Sequence, residues 1–270
     1  MRIAYQVLAF LRRDWRIARS STFGLAWQAT AIIFATPTLY YIGRLIRPGT
    51  PSLAAYGGDY FTFAVLGIAF SGFLAAVMGA CAAAVRQEQV GGTLEVLLTL
   101  PASLPTLAAG ASFLPVLLAA AQSLLYVVLG VAMFHIDVAH ANFFGAALIV
   151  ALTTIVSGAL GLFAAAFVIL FRRTDPLTGI MVGVGAMLGG VFYPTEILPP
   201  PARLLAQFVP LTPALHGLRL AVMRGADFPT LVPSIGLLLV WCAVAVPASL
   251  VTAHAALSEA RRSGTASGYG

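Results

Sequence analysis

The sequence contains no lysine, so all fifteen of its basic residues are arginines. A P-loop uses a lysine to reach the phosphates of a nucleotide, so the chain lacks a standard nucleotide site of that kind. Charged residues are also scarce, at 9% of 270 residues, whereas soluble domains carry about 25%. Hydrophobic residues make up 60% of the chain and the mean hydropathy is +0.95. This composition indicates a polytopic membrane protein.

Residues for covalent or metal chemistry are few. The two cysteines, Cys81 and Cys242, lie in separate apolar runs, where we expect them to act as small packing residues rather than as a disulfide framework. His135, Asp137 and His140 cluster between two apolar runs, but a metal site would need a further ligand. We interpret this cluster as a solvated turn and predict no catalytic set, no metal site and no nucleic-acid partner.

Six apolar runs are candidates to cross a hydrocarbon core about 30 Å thick, which needs about 20 residues per helix. The predicted spans are residues 24–43, 60–85, 106–134, 143–171, 176–192 and 231–256. None of these runs contains Asp, Glu, Lys or Arg. Carriers driven by an ion gradient usually hold ionisable residues at mid-membrane, so their absence counts against a carrier that works alone.

The arginines predict the orientation. An even number of spans places both termini on one side, and cytoplasmic loops carry the excess of arginine. The side of the termini holds Arg2, Arg12, Arg13, Arg16, Arg19, Arg86, Arg172, Arg173, Arg261 and Arg262. The other side holds Arg44, Arg47, Arg203, Arg219 and Arg224. We therefore expect a multi-pass protein of the cell membrane with both termini in the cytoplasm.

Both ends of the chain differ from the spans. In residues 1–20 apolar and basic residues occupy opposite halves of a helical wheel, which is typical of an amphipathic helix in the headgroup plane. Residues 258–270 are small, polar and glycine-rich, so we predict a disordered cytoplasmic tail. A single transmembrane domain is predicted over residues 1–257.

The segment before the last span is rich in proline. Residues 194–224 contain two short helical patterns, 200–208 and 213–223, and each starts at a proline, as first helical turns prefer. Neither pattern is long enough to span a bilayer. We predict a re-entrant helical hairpin in the outer half of the membrane, where such backbone must be buried in protein or line a cavity.

The stretch 86–101, RQEQVGGTLEVLLTLP, lies between the second and third spans. Its two glutamates, Glu88 and Glu95, place it outside the hydrocarbon, because a charge at the bilayer centre costs about 2.5–3.5 kcal/mol or more. Val90, Leu94 and Leu97 fall on one helical face, opposite Glu95. The pattern predicts a short amphipathic helix over 86–100 at the cytoplasmic surface.

These two stretches resemble a known family. RQEQVGGTLEVLLTLP is similar to the E-x-x-x-G-T-L-E-x-L-L-x-x-P signature of ABC-2 type transporter permeases, and FYPTEILPPPARLLAQFVPLTPALHGLRLAVMRG resembles the proline-rich signature near the end of that family. The resemblance implies an all-α fold of six transmembrane helices, with an N-terminal interfacial helix, a cytoplasmic coupling helix and the re-entrant hairpin. It covers nearly the whole chain.

The resemblance also implies partners. Two membrane subunits, either two copies or two related chains, would pair within the lipids and dock on two separate ATPase subunits. ATP and Mg²⁺ would be bound by those partners and not by this chain, which would not be an enzyme. The signature positions expected to contact the ATPase are Arg86, Glu88, Gly92, Thr93 and Glu95.

A transport pathway between the second and fifth spans is implied in the same way. The candidate lining residues are Phe70, Phe73, Met181, Met187 and Phe192. The candidate outer-gate residues in the hairpin are Pro194, Glu196, Pro210, Pro213 and Arg219. We expect export of a lipophilic compound or lipid; the alternatives are a lipid-linked polysaccharide or teichoic acid in the same machinery, and an ion-gradient carrier.

Overall fold

The computed structural model describes residues 22–46, 51–90, 104–134, 136, 139–171 and 176–262. The helices are α1 (Thr22–Leu45), α2 (Tyr60–Val90), α3 (Leu104–Phe134), α4 (Phe143–Phe171), α5 (Pro176–Leu188), α6 (Pro200–Gln207), α7 (Leu211–Met223) and α8 (Phe228–Arg262). Two short 3-10 helices, Pro51–Tyr56 and Thr195–Ile197, precede α2 and α6. These ranges contain no β-strand, which confirms the all-α prediction.

Four helices are long and apolar enough to cross a membrane: α2, α3, α4 and α8. The protein is therefore a multi-pass membrane protein. The predicted first span forms α1, in which Gln28, Pro37 and several threonines dilute the apolar run. The predicted fifth span forms α5, whose 13 residues extend only about 20 Å at 1.5 Å per residue. The count of six spans remains a prediction.

The central helix of the fold is α2. Within its apolar stretch 72% of the residues are buried, against 11% in α3 and 22% in α8, so α2 is enclosed by protein while α3 and α8 present wide apolar surfaces outward. The helix begins at an N-cap: the Asp59 carboxylate accepts hydrogen bonds from the backbone N–H groups of Phe61 and Thr62, at 3.2 and 3.0 Å.

The break after α5 comes earlier than the sequence predicts, at Leu188 rather than at residue 192. Gly189 and Gly190 form a turn, and Gly190 adopts a φ of +74°, a left-handed conformation that favours glycine. A Cβ at Gly190 would also lie 2.9 Å from Tyr193 O. The turn sends the chain towards α6 instead of continuing the helix.

The hairpin contains two short helices, α6 and α7, at the positions of the two predicted patterns. Helix α7 packs against α4, α8 and α2, and its Ala214 and Leu215 are fully buried. The main core joins these helices through Phe70, Leu74, Ile149, Leu215, Leu231 and Leu238. The second half of this segment is thus part of the protein core, while its re-entry into the membrane remains a prediction.

Several predicted segments lie wholly or partly outside the described residues: the interfacial helix 1–20, most of the coupling helix 86–100 and the end of the tail. The described parts show two continuations. Helix α2 runs through Val90 without a break at residue 86, and α8 runs to Arg262, past Ser258 where the tail was expected to begin. The sequence ALSEARR at that end consists mostly of strong helix formers.

Candidate functional site: an arginine latch and an apolar cavity

Arg219 of α7 is buried, with 2% of its surface exposed. Its guanidinium donates hydrogen bonds to three backbone carbonyl oxygens. Nη1 donates to Gly190 at 2.8 Å, and Nη2 donates to Val191 at 2.8 Å. Nε and Nη2 both donate to Phe63, at 3.2 and 3.1 Å. One side chain therefore joins α7 to α2 and to the turn after α5.

The surroundings of Arg219 compensate for burying a charge. A guanidinium stays protonated in proteins, and the Gly190 and Val191 carbonyls follow the C-terminus of α5, where the helix dipole is negative. The Arg219 Cζ atom also lies 3.3 Å from the centroid of the Phe63 ring, within the range of a cation–π interaction. The site provides several partial negative charges in place of a carboxylate.

Gly67 allows α2 to approach the turn after α5. A Cβ at this position would overlap the Val191 carbonyl oxygen and would crowd Arg219 Nη2. Gly67 lies one turn after Phe63 on α2, so both residues face the same cluster. Glycine is required here by the close approach of two backbones.

A second polar pair lies beside Arg219. The Tyr56 hydroxyl and His216 Nδ1 are 2.7 Å apart, and Tyr56 also packs edge-on against the Phe63 ring. Burial, with a smaller contribution from Glu196, raises the pKa of Tyr56 to about 12. Burial lowers the pKa of His216; Glu196 opposes this shift and Arg219 adds to it. Near neutral pH the phenol is protonated and can donate to a neutral imidazole.

We call this cluster the arginine latch: Tyr56, Phe63, Gly67, Gly190, Val191, His216 and Arg219. It connects three regions that are far apart in the chain: the 3-10 helix together with the start of α2, the turn after α5, and α7. Its groups are held by hydrogen bonds, ring contacts and a cation–π contact. These contacts hold the segments together, so we assign the cluster a structural role.

An apolar cavity of about 330 Å³ lies between α2, α4, α5, α8 and the α6–α7 connection. The lining comprises Ser71, Gly72, Leu74, Ala75, Met78, Thr153, Ser157, Leu160, Met181, Val182, Val184, Gly185, Ala186, Phe208, Val209, Pro210, Leu211 and Trp241. This lining contains no Asp, Glu, Lys, Arg or His. Because α7 begins at the cavity and carries Arg219 further along, the latch holds one of the cavity walls.

The predicted pathway and gate residues divide between these features. Met181 and Pro210 line the cavity, whereas Met187 and Phe192 are exposed and Phe70 belongs to the main core. Phe73 packs against that core. Among the hairpin residues Pro194 and Pro213 are buried, Glu196 is exposed and Arg219 forms the latch.

The residues predicted to contact an ATPase lie at or beyond the end of α2. Arg86 is exposed on this helix, and Glu88 belongs to its last turn. Gly92, Thr93 and Glu95 lie outside the described residues. Within the described ranges no group of three or more His, Cys, Asp or Glu side chains is arranged to hold a metal ion.

Sequence reasoning did not identify Tyr56, Gly67, Gly190 or Trp241 as site residues. Tyr56 and His216 are separated by 160 positions, and no local pattern links residues at such a distance. Gly190 has a weak signal, since a Gly-Gly pair lies inside the apolar run, at residues 189–190. Trp241 resembles any other large apolar residue of a span.

A family model described as "ABC-2 type transporter" matches residues 5–223. This range contains α1 to α7, the whole arginine latch and every cavity residue except Trp241. The comparison with curated proteins gave no match.

Proposed function

Because the chain belongs to the ABC-2 type transporter family, whose members form the membrane part of ABC transporters, we propose that it is the permease of an ATP-driven exporter. A permease of this family works with ABC ATPase subunits and is not itself the ATPase. In the proposed complex two permeases, either identical or related, pair in the cell membrane and dock on two ATPases that bind ATP and Mg²⁺. Both termini face the cytoplasm.

The observation that carries the proposed substrate class is the cavity. Its lining is almost entirely apolar and carries no charged side chain. A polysaccharide would need many hydrogen-bonding groups along its path, because its hydroxyl groups lose their water on entry. A lipophilic compound or lipid loses little solvation there, so the cavity favours such a substrate over a lipid-linked glycan.

The proposed outer gate is the hairpin held by the arginine latch. Arg219 joins α7 to the Gly190–Val191 turn and to Phe63, so α7 cannot move away from these segments without breaking several hydrogen bonds. Opening would therefore move α7, the turn and the start of α2 together, or would exchange the partners of Arg219. In the proposed closed state, the hydrogen bonds of the latch fix the position of α7 relative to α2 and the turn after α5.

The proposed contact with the ATPase, which supplies the energy, lies at the opposite end of α2. Arg86 is exposed there, and Glu88, Gly92, Thr93 and Glu95 continue the signature into the predicted coupling helix. The proposed contacts of the two glutamates with an ATPase are charge-assisted hydrogen bonds. A rigid α2 would connect these contacts with Phe63 in the arginine latch, since both lie on one helix.

The experiment is copurification with its P-loop ATPase followed by reconstitution in vesicles. Glu88→Ala and Glu95→Ala should uncouple transport from ATP hydrolysis, while Glu259→Ala, near the end of α8, serves as the control. ATP-dependent movement of a lipophilic dye is the expected result. Transport driven by a cation gradient without nucleotide would contradict the proposal and favour the ion-gradient carrier. Wild-type coupling in both glutamate variants would reject the coupling helix.

A further inference from the structure

We propose that the apolar cavity binds an uncharged lipophilic molecule that carries a hydroxyl or N–H hydrogen-bond donor. This inference names the substrate class of the exporter and, as far as transport is concerned, rests on the proposed function. Four properties of the cavity support it: the absence of charged side chains, its hydroxyl acceptors, its size and its opening.

The first property excludes ions. None of the lining side chains ionises near neutral pH, so a bound carboxylate, phosphate or ammonium would have no partner of opposite charge. Transfer of an unpaired ion out of water is far more costly than transfer of a neutral polar group. The bound part of the ligand is therefore uncharged.

The second property, the hydroxyl groups in the lining, favours a ligand that carries a hydrogen-bond donor. The Thr153 hydroxyl donates to the Ile149 carbonyl at 2.6 Å, and the Ser71 hydroxyl donates to the Ile68 carbonyl at 3.2 Å. Each hydroxyl has one hydrogen and two acceptor lone pairs. With the hydrogens directed to their own helices, these two residues offer acceptors to a ligand. The Ser157 hydroxyl also lines the cavity and can accept a hydrogen bond, so a ligand hydroxyl or N–H group complements all three.

The third property is the shape. A volume of about 330 Å³ lies at the lower end of the range of small-molecule sites. Met78 and Met181 lie in the wall, and methionine side chains adapt to irregular ligands. A Cβ built at Gly72 meets no atom within 4 Å, so the α2 wall is open at this point and can be filled by substitution.

The fourth property is the access. Phe208 and Val184 line the cavity and are also exposed, at 74% and 44% of their surface. The cavity therefore opens to the outside of this chain between α5 and the end of α6. A molecule dissolved in the apolar phase around the helices can reach it without crossing a charged surface.

Trp241 provides the readout, because it lines the cavity and the chain has only two other tryptophans, Trp15 and Trp27. The test protein is the full chain in lipid nanodiscs with Trp15→Phe and Trp27→Phe, and the probe is a terminally brominated decanol, which quenches tryptophan on contact. The control moves the fluorophore outward by Trp241→Phe with Val240→Trp, since Val240 is 61% exposed on the same helix.

We expect saturable quenching of Trp241 and only linear quenching at position 240. The methyl ether of the probe should bind about two- to tenfold more weakly, as the loss of one hydrogen bond predicts. The brominated decanoic acid, as its anion, and the brominated decyl trimethylammonium ion should not saturate. Equal, unsaturable quenching at both positions, or saturation by either ion, would overturn the proposal.

Substitutions inside and outside the cavity test whether the probe binds in the cavity. Gly72→Leu should abolish saturation, whereas Gly236→Leu, at an exposed glycine of α8 that also has open space, should leave it unchanged. A triple variant with Ser71→Ala, Thr153→Val and Ser157→Ala should retain binding of the decanol but remove its advantage over the methyl ether, because all three hydroxyls in the lining are lost. An unchanged advantage in this triple variant would reject the role of the hydroxyls, even if Gly72→Leu fails to fold.

The binding test needs neither ATP nor a partner, so its failure differs from failure of the proposed function. Saturable binding without ATP-driven export would support the binding site and would reject the proposal that the protein is part of an exporter. ATP-driven export that Gly72→Leu does not alter would retain the exporter and reject this cavity as the place where substrate binds.

Discussion

The Arg219 guanidinium donates a 2.8 Å hydrogen bond to the carbonyl oxygen of Val191, and this contact joins the hairpin to the turn that ends α5. A buried carbonyl just after a helix end usually needs water or a cap, and here a side chain from a helix 28 positions further along supplies the donor. The same guanidinium reaches Phe63 at the start of α2.

Replacing Arg219 by methionine should destabilise the protein by about 3 kcal/mol or more, because buried carbonyl oxygens lose their donors. Arg219→Lys should recover only part of this loss, since an ammonium cannot reproduce the fork of the guanidinium. The measurement is the midpoint of thermal unfolding in detergent. Arg203→Met is the matched control, because Arg203 is exposed on α6. Equal midpoints for Arg219→Met and Arg203→Met would contradict the latch.

Gly67→Ala should also destabilise the protein, although alanine is the better helix former by about 1 kcal/mol. The sign reverses because the added Cβ would overlap the Val191 carbonyl oxygen and push the two backbones apart. Gly72→Ala, on the same helix with open space around it, should be neutral or stabilising. Thermal unfolding of both variants decides the matter, and a stabilising effect of Gly67→Ala would show that the backbones do not approach closely.

Stability should fall as the pH falls below about 6.5, the ordinary pKa of histidine. The folded pKa of His216 is lowered, mainly by burial, so in this range the unfolded chain binds a proton that the folded chain does not. The loss should level off once the pH is below the folded pKa. Unfolding midpoints measured between pH 7.5 and about 5 should depend less on pH in His216→Gln. An identical pH dependence in that variant would exclude His216 as the cause.

The contact between Gln122 of α3 and Gln28 of α1, a hydrogen bond from one amide to the other, should hold α1 against the bundle. Interhelical hydrogen bonds in membranes contribute on average about 0.6 kcal/mol in double-mutant cycles. We expect Gln28→Leu and Gln122→Leu each to destabilise the protein, and the double variant to be more stable than the sum of the two losses. Additive losses in unfolding measurements would show that the two amides act independently.

The pattern of apolar runs predicted the helices well because a bilayer imposes a length and an absence of charge that can be read locally. Helix α4 has the predicted bounds, and α3 begins two residues earlier. Helix α8 runs to Arg262 rather than to residue 256, and α5 ends at Leu188, before a Gly-Gly turn inside an apolar run. A hydropathy profile stays apolar through such a turn, since glycine is neither charged nor strongly polar. The profile therefore does not predict where the helix ends.

The candidate site was harder to predict. Arg219 could be named as a gate candidate because the resemblance to the family implies an outer gate near the proline-rich segment. Its burial could not be foreseen, since exposed arginines such as Arg203 occur in the same segment. The residues predicted to contact an ATPase show the opposite case: their signature is local and recognisable, although most of them lie outside the described residues.

The sequence by itself determined that this protein is a helical membrane protein of the ABC-2 type transporter family, because span length, charge distribution and signatures are properties of neighbouring residues. Only the tertiary structure decided that Arg219 meets Phe63, which is 156 positions away, and that one cavity is shared by α2, α4, α5 and α8. Contacts of this kind depend on how helices pack, and packing brings together residues whose separation along the chain carries no signal.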